Sequence, residues 1–307
     1  MRTGQRCHLR EGKQLRGMTC RKDFWGESMD FEQAFSGLKQ KADEANPVAP
    51  DDYMQGGLRY CGKCHTPKQA VIPFGGKQLT VSCLCQCAAE AYQRDEDARK
   101  AREFRDRVER LRKDGFRGSD LDKWTFAQDD GQDPRTSSIM RRYVDHFPEL
   151  LRQGRGMILY GQCGSGKTFA AACVVNALID QGYKCLMTNF SRIANTISGL
   201  RDGKQDYLDG LNQYALLALD DLGAERNTEY MTEIVYSIID NRYRAKLPMI
   251  ITSNLSGDEL KNPRGIAEQR IFNRVLERCA PVEVNKTDRR RRNIIREYGS
   301  VKELLGL

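Results

Sequence analysis

The chain has 307 residues, of which 39% are apolar and 30% charged, so it is long enough to bury a core within one large domain or two ordinary ones. Its formal net charge of +8 favours a polyanionic partner, and no apolar run is long enough for a membrane span or a signal peptide. The composition argues against a protein built on membrane-spanning helices and predicts a cytoplasmic protein with no membrane partner.

The N-terminal residues 1–28 lack hydrophobic periodicity and carry seven lysines and arginines against three acidic residues. We expect them to form a basic, disordered arm, and we expect Met29 to be the natural start of the protein. Beyond it, Phe31 and Phe35 belong to a set of apolar residues at helical spacing. This pattern predicts a short amphipathic helix, which either docks on a partner protein or packs on its own domain.

Five of the eleven cysteines fall within residues 61–87. They form a Cys-x₂-Cys pair and a Cys-x-Cys-x-Cys group, with eighteen residues between the two. Residues 69–74 and 78–82 between them can pair as strands, which would bring the two groups together. The spacing is typical of a closed, tetrahedral zinc site with a structural role. The second group offers three sulfurs for two positions, and His65 is a further candidate. We favour Cys61, Cys64, Cys83 and Cys85 as the zinc ligands, with Cys87 as the alternative.

A highly charged helix is predicted for residues 88–113, followed by a glycine-containing break and an extended linker at 119–136. We therefore expect a domain boundary between residues 115 and 116. The predicted organisation is the arm 1–28, an N-terminal partner-binding module at 29–115 with its zinc site at 60–88, and a second domain at 116–307.

Strands and helices alternate through the second domain, which predicts an α/β fold with a parallel sheet flanked by helices. The first strand is predicted at 157–160, after a helix at 139–151. The other predicted strands are 184–188, 214–219, 247–252 and 282–284, and the other predicted helices are 169–179, 231–245 and 266–279.

The first strand leads into the sequence Gly-Gln-Cys-Gly-Ser-Gly-Lys-Thr, which fits the phosphate-loop pattern G-x-x-x-x-G-K-[ST] in its required strand–loop–helix context. Glycines let successive backbone N–H groups turn toward a phosphate, and the start of the next helix adds partial positive charge. Lys167 can reach the β- and γ-phosphates, and the Thr168 hydroxyl can bind Mg²⁺. The predicted nucleotide-binding residues here are Gly161, Gln162, Cys163, Gly164, Ser165, Gly166, Lys167, Thr168 and Phe169.

Polar residues stand at two further strand ends. Asp220 and Asp221 end an apolar strand, and Asn254 follows the fourth strand. In an open parallel sheet these ends lie beside the phosphate loop. We expect Asp220 to hold Mg²⁺, mostly through water, and Asp221 to orient and polarise the attacking water. We expect Asn254 to hydrogen-bond the γ-phosphate or that water.

The phosphate loop, Leu-Asp-Asp-Leu-Gly-Ala-Glu at 219–225, Thr-Ser-Asn-Leu at 252–255 and Gln-Arg-Ile-Phe-Asn-Arg at 269–274 together resemble AAA+ ATPases of the DnaC/IstB type. These are bacterial and phage helicase loaders and their transposon relatives. The resemblance covers residues 121–292. With the cysteine module in front, the chain is most similar to phage or prophage DnaC-like loaders with a zinc-binding N-terminal module.

The resemblance implies roles for several arginines. Arg270 and Arg274 fall where the family carries arginine fingers that reach the γ-phosphate on a neighbouring subunit, and their i, i+4 spacing puts both on one helix face. Arg290 matches a further family arginine near the nucleotide. The family's usual Ser-Tyr-Arg reads Thr-Asp-Arg-Arg here, so which arginine of 289–292 takes this role stays open.

The resemblance also implies a contact with single-stranded DNA. In the family, the segment that corresponds to residues 189–201 lies along the inner surface of an assembled spiral. Phe190 would offer a base-stacking surface there, and Arg192 and Arg201 would contact phosphates.

The function that the resemblance implies is an ATP-dependent loader of the replicative DnaB-type helicase. The N-terminal module would bind the helicase, the AAA+ domain would bind ATP, single-stranded DNA and its own copies, and slow hydrolysis would release the loader. The implied cofactors are ATP, Mg²⁺ and Zn²⁺. The alternatives are an IstB-like transposition helper and an ATP-binding adaptor in which turnover matters little.

Overall fold

The computed structural model describes residues 47–74, 77–224, 228–263 and 265–284, together with 302 and 304–306. The basic arm, the predicted amphipathic helix and Arg290 lie outside these residues. The chain divides into two compact units, Met1–Ala98 and Arg99–Leu307. Across the described ranges, no helix has both the length and the apolar character that a bilayer crossing needs.

In its described part, residues 47–74 and 77–98, the Met1–Ala98 unit contains two antiparallel hairpins. Strand β1 (Tyr53–Gln55) pairs with β2 (Leu58–Tyr60), and β3 (Gln69–Phe74) pairs with β4 (Lys77–Ser82). The second hairpin confirms the predicted pairing between the two cysteine groups. It closes the loop that separates them, because the Cys83 N–H donates a hydrogen bond to the Lys68 carbonyl at 2.8 Å.

Helix α1 (Gln86–Phe116) follows these hairpins, and the larger unit then alternates helices and strands. Its elements are α2 (Pro134–Asp145), α3 (Phe147–Gln153), β5 (Gly156–Tyr160), α4 (Lys167–Asp180), β6 (Cys185–Asn189), α5 (Phe190–Ser198), α6 (Lys204–Gly210), β7 (Leu216–Leu222), α7 (Glu229–Arg244), β8 (Met249–Ser253), α8 (Gly257–Lys261), α9 (Ile266–Arg278) and β9 (Cys279–Glu283).

The predicted parallel sheet is present. Its five strands are all parallel and lie in the order β6-β7-β8-β5-β9. The chain moves from β5 out to the edge strand β6, returns through β7 and β8, and then crosses to the other side of β5. Strand β5 therefore lies where the connections change direction, and in such sheets the ligand crevice lies beyond the carboxyl end of that strand.

Both faces of the sheet are covered by helices, so the strands are apolar except near their carboxyl ends. Ile158 belongs to the core under α5, α7 and α9, whereas Leu159 belongs to the core under α2 and α4. Strands β5 and β8 approach so closely that a Cβ at Gly156 would lie 1.8 Å from the carbonyl oxygen of Met249. Only glycine fits at that position.

Two segments differ from what the sequence predicts. The predicted helix at 139–151 is two helices that meet at His146, because Pro148 near the start of α3 cannot continue the preceding helix. The predicted linker at 119–136 contains two 3₁₀ helices, Asp120–Lys123 and Phe126–Gln128, and the start of α2.

Asn176 explains why that linker is ordered. This residue of α4 is buried, and its side-chain amide donates hydrogen bonds to the carbonyls of Leu121 at 3.1 Å and Trp124 at 2.9 Å. Its side-chain oxygen accepts a hydrogen bond from Arg112 of α1. The end of α1 thus belongs to the larger unit, and the division between the units falls after Ala98 rather than between residues 115 and 116.

Candidate nucleotide-binding site

The phosphate loop forms a tight turn between β5 and α4. Gly161, Gly164 and Gly166 have φ angles of 137°, 79° and 95°, which are open to glycine without a steric penalty. A Cβ at Gly161 would also lie 2.8 Å from the carbonyl oxygen of Val284. The loop therefore takes the curled form in which backbone N–H groups converge on an anion at the start of a helix.

Lys167 is fixed inside this loop. Its side chain is buried, and Nζ donates hydrogen bonds to the carbonyls of Gly161 at 2.9 Å and Gln162 at 2.7 Å. The ammonium group is thereby held where a phosphate on the loop would pair with it.

Asp220 lies directly opposite the end of the phosphate loop. Its Oδ1 accepts hydrogen bonds from the hydroxyls of Thr168 at 3.0 Å and Thr252 at 2.6 Å. Burial raises the pKa of the Asp220 carboxyl above its usual range, and the hydrogen bond from Thr252 opposes this rise. A hydroxyl and a carboxylate side by side are the oxygen ligands that Mg²⁺ uses beside bound phosphates. Thr168 and Asp220 therefore fit this ion, as the sequence predicts.

Asp221 and Asn254 are both exposed at the same edge of the sheet. Asp221 has a φ of 61°, which turns its backbone away from the regular strand. Asn254 directly follows β8, the neighbour of β7 and β5. Both residues are exposed and lie at or directly after strand ends, at the edge of the sheet where the phosphate loop lies.

A pocket of ≈ 320 Å³, open to solvent, continues from the outer side of the phosphate loop. Its lining includes Ser165, Gly166 and Phe169 from the loop and α4, together with Phe126 and Asp133. A nucleoside whose phosphates lie on the loop would find an aromatic and polar wall here.

The two predicted arginine fingers differ in their surroundings. Both lie on α9, and the side chain of Arg270 is exposed. The Nε of Arg274 instead lies 2.7 Å from Asp240 Oδ1, an ion contact without the alignment of a hydrogen bond. Its guanidinium also stacks over the rings of Tyr236 at 4.6 Å and Tyr243 at 5.7 Å. Arg274 is therefore engaged within its own subunit.

The predicted DNA-contacting residues are only partly accessible. Phe190 is 1% exposed and belongs to the core under α5, so it offers no base-stacking surface, and that prediction is not supported. Phe190 lies on the apolar face of α5, which packs into that core. Arg192 and Arg201 are exposed.

The cysteine cluster brings together a different set of sulfurs from the one favoured above. The Sγ atoms of Cys61, Cys64, Cys85 and Cys87 lie within 4.8 Å of one another. Cys83 is instead directed to the carbonyl of Pro67 at 3.6 Å. Cys83 directly follows β4, whereas Cys85 and Cys87 lie at the turn into α1, which carries their sulfurs to Cys61 and Cys64.

The geometry and charge of this cluster suit a bound cation. The Cys87 sulfur lies 3.4 Å from Cys85 and 3.6 Å from Cys61, close to the separation of about 3.8 Å between sulfurs around tetrahedral zinc. A hydrogen bond with Thr66 lowers the pKa of Cys64 to about 5, whereas the neighbouring Cys85 raises the pKa of Cys87 to about 12. One thiol of the cluster therefore ionises easily while a neighbouring thiol resists ionisation. A bound divalent cation would stabilise the thiolate form of both.

One residue of the site has a role that sequence reasoning did not assign. Thr252 is buried in β8, and its hydroxyl contacts both Asp220 and the backbone of Asp221. The sequence feature that could have indicated this role is a hydroxyl residue near the end of the apolar strand β8, which lies beside β5, the strand that leads into the phosphate loop.

The phosphate loop, the acidic end of β7 and the strand β8 inserted between β5 and β7 define a P-loop nucleotide-binding protein with an AAA+-type α/β core. The family comparison is more specific. The family model described as IstB-like ATP binding protein matches residues 87–296, so the chain belongs to this family. ATP is accordingly the nucleotide that the family assigns to this site.

Several relatives carry names from DNA replication. The chain is 29% identical over 194 residues to the replicative helicase loader DnaI of Bacillus subtilis, which covers 59% of this chain and 62% of that protein. It is 26% identical over 145 residues to the replicative helicase loader DnaC of Escherichia coli, and this match covers 45% of this chain and 56% of that protein. The chain thus spans about 60% of the length of these relatives. The crystal structure of DnaI aligns with a TM-score of 0.45 at 22% identity, covering 54% of this chain and 93% of that one.

Proposed function

We propose that this protein is an ATP-dependent loader of a replicative DnaB-type helicase. In this proposal the Met1–Ala98 unit binds the helicase, and the larger unit binds ATP and single-stranded DNA. Hydrolysis of ATP then releases the loader. The observation that carries the proposal is the nucleotide site of an IstB-like ATP binding protein whose relatives include two helicase loaders.

The chemistry of the site supports hydrolysis. Lys167 would neutralise charge on the terminal phosphates, and Thr168 with Asp220 would hold the Mg²⁺ that bridges them. Asp221 and Asn254 would orient the attacking water, since both are exposed at the sheet edge beside the loop. A single lysine leaves part of the triphosphate charge unmatched, which an arginine from a second copy would neutralise in the transition state.

Self-association is therefore part of the proposal. Arg270 and Arg274 lie on α9 at i, i+4, so both project from one side of the helix. Arg270 is exposed and ready to meet a neighbouring nucleotide, whereas Arg274 must first leave Asp240. Hydrolysis would then be slow in the free subunit and faster in an assembly.

The four-cysteine cluster would hold zinc in a closed, structural site. Such a site leaves no position for a substrate, so its contribution is to the fold of the small unit. Val71, Ile72 and Leu84, in and beside the hairpin that this site fixes, are exposed. Val71 and Ile72 lie on opposite faces of the hairpin, so either face offers an apolar contact to the helicase.

DNA binding rests on charge alone in this proposal. Arg192 and Arg201 would contact phosphates of a single strand without reading its bases. Binding should therefore weaken steeply with salt and depend little on sequence.

The family match also keeps a second candidate, a transposition helper of the IstB type. The two functions differ in the partner protein and share the nucleotide site. A transposase whose activity rises with this protein and ATP would favour the second candidate.

The decisive experiment mixes the purified chain with its cognate replicative helicase and measures the mass of the complex by light scattering after size exclusion. We expect a complex in ATP that dissociates after hydrolysis. Lys167→Ala should abolish the nucleotide dependence, whereas Lys261→Ala, which removes an exposed lysine outside the site, should not. If no complex forms with or without ATP, the loader function is wrong.

A further inference from the structure

The hydroxyl of Thr252 joins the two acidic residues of the nucleotide site. Thr252 Oγ1 donates a hydrogen bond to Asp220 Oδ1 at 2.6 Å and accepts one from the Asp221 N–H at 2.9 Å. We infer that Thr252 is a positioning residue that sets the direction of the metal-binding carboxylate and of the water-orienting carboxylate together. This inference rests on the proposed ATPase activity.

The strand pairing shows why a side chain is needed at this point. Strands β7 and β8 pair regularly as far as Leu219 opposite Ile251, and the register then shifts before Leu222 meets Ser253. The shift coincides with the φ of 61° at Asp221. The Thr252 hydroxyl supplies an acceptor to the Asp221 N–H where the regular ladder is interrupted.

Only a hydroxyl can perform both tasks from one atom, because it donates one hydrogen bond and accepts others. Thr252 is 1% exposed, so water cannot readily replace it. A valine would have the same shape but would leave the half-buried Asp220 carboxylate and the Asp221 N–H without this partner.

The same carboxylate oxygen also accepts the hydrogen bond from Thr168 at 3.0 Å. Within the described chain, the hydrogen bonds to Asp220 therefore converge on Oδ1, which leaves Oδ2 for the metal ion or its water. Residues that orient a metal ligand in this way usually contribute about 10-fold to 100-fold in affinity or activity.

The chain offers a matched control for the loss of this hydroxyl. Thr188 is a threonine near the end of β6, which lies on the other side of β7 from β8, and it is 6% exposed. Its Oγ1 has no hydrogen-bond partner among the described residues. Thr188→Val and Thr252→Val therefore make the same chemical change in the same sheet, and only the second breaks contacts to the acids.

The test measures ATP hydrolysis against ATP and Mg²⁺ concentration, and the affinity for a fluorescent ATP analogue with and without Mg²⁺, in the full chain. We expect Thr252→Val to lower kcat about 10-fold to 100-fold and to raise the half-saturating Mg²⁺ concentration several-fold. Affinity for the analogue without Mg²⁺ should stay within about twofold, because the loop itself is unchanged. Thr252→Ser should restore both values, and Thr188→Val should leave them unchanged.

Equal effects of Thr252→Val and Thr188→Val, or no rescue by serine, would overturn the inference. Thermal unfolding identifies a variant that fails to fold, and Thr252→Ala then replaces the valine. If the wild-type protein hydrolyses no ATP, the proposed activity is wrong, and the Mg²⁺ dependence of analogue binding still decides the role of Thr252.

Discussion

Asp221 has a backbone conformation that few residues tolerate. Its φ of 61° is in the left-handed region, where asparagine and aspartate are enriched among residues other than glycine. An alanine there would cost about 1–2 kcal/mol of strain, so its effect on hydrolysis would mix chemistry with folding. Asparagine keeps the conformation and removes only the charge, which makes it the informative substitution.

We predict that Asp221→Asn reduces the rate of ATP hydrolysis about 100-fold or more, because the water loses a general base. Affinity for ATP and Mg²⁺ should change much less, because the Asp221 side chain is exposed and takes no part in the hydrogen bonds that hold the Thr168–Asp220 pair. Single-turnover hydrolysis and equilibrium binding of a fluorescent analogue give the two values. Asp220→Asn provides the comparison, since it should weaken Mg²⁺-dependent binding as well. Equal loss of binding in both variants would contradict the separate roles.

The motif residues could be predicted from the sequence because the phosphate loop specifies its own context. A loop of this pattern requires a strand before it and a helix after it, and its partners follow at the ends of later strands. Phe190 and Cys83 could not be placed in this way. Whether an aromatic residue faces a core or a ligand depends on how α5 packs, and the choice among three neighbouring sulfurs depends on the path of the chain into α1.

Helix α9 illustrates how an element can control a residue that it carries. Arg274 is held against α7 by Asp240 and by two tyrosine rings, and Asp240 also pairs with Arg244 at 2.8 Å. To act on the nucleotide of a second copy, Arg274 must break these contacts. A partly buried ion pair of this kind is worth about 0.5–1 kcal/mol, which is a factor of two to five in an equilibrium.

We predict that Asp240→Asn lowers, by about two- to fivefold, the protein concentration at which ATP hydrolysis is half-maximal. The reason is that the assembled state no longer competes with the contact inside the subunit. The measurement is the hydrolysis rate per subunit across a dilution series. Glu233→Gln, which removes an exposed charge from the same helix, is the control. If Asp240→Asn hydrolyses ATP as slowly as Arg274→Ala, then Asp240 instead orients Arg274 toward the nucleotide of the neighbouring copy.

The strands of the parallel sheet were predicted with errors of a few residues at their ends, whereas the connections and the shorter helices between them were not predicted. Strands buried on both faces are apolar runs that can be recognised without tertiary information. The order of the segment after α1 depends on Asn176, whose amide reaches the carbonyls of Leu121 and Trp124 from another helix. Contacts of this kind between distant residues leave no local pattern in the sequence.

At the scale of the whole molecule, the two compact units depend on different sources of stability. The larger unit has an apolar core on each face of its sheet. The small unit has short hairpins, and β1 is exposed along its length. Small domains of this kind usually need a metal or disulfides, because they cannot bury enough apolar surface.

We therefore predict that the small unit folds only with zinc, whereas nucleotide binding does not need the metal. Cys87→Ser should remove the bound zinc and make the Met1–Ala98 unit sensitive to protease, because a structural zinc site contributes folding free energy directly. Affinity for ATP should stay within about twofold, since the site lies within the larger unit. Zinc content, limited proteolysis and binding of a fluorescent ATP analogue are measured on one preparation.

Cys83→Ser is the matched control, because it makes the same chemical change four residues away in the same segment. It should retain the zinc and the protease resistance, since the Cys83 sulfur is directed to the Pro67 carbonyl. Loss of zinc from Cys83→Ser with retention in Cys87→Ser would restore the ligand set favoured by the spacing alone. Loss of ATP binding together with zinc would show that the units fold as one, and the helicase-binding and nucleotide-binding roles could then not be assigned to separate parts of the chain.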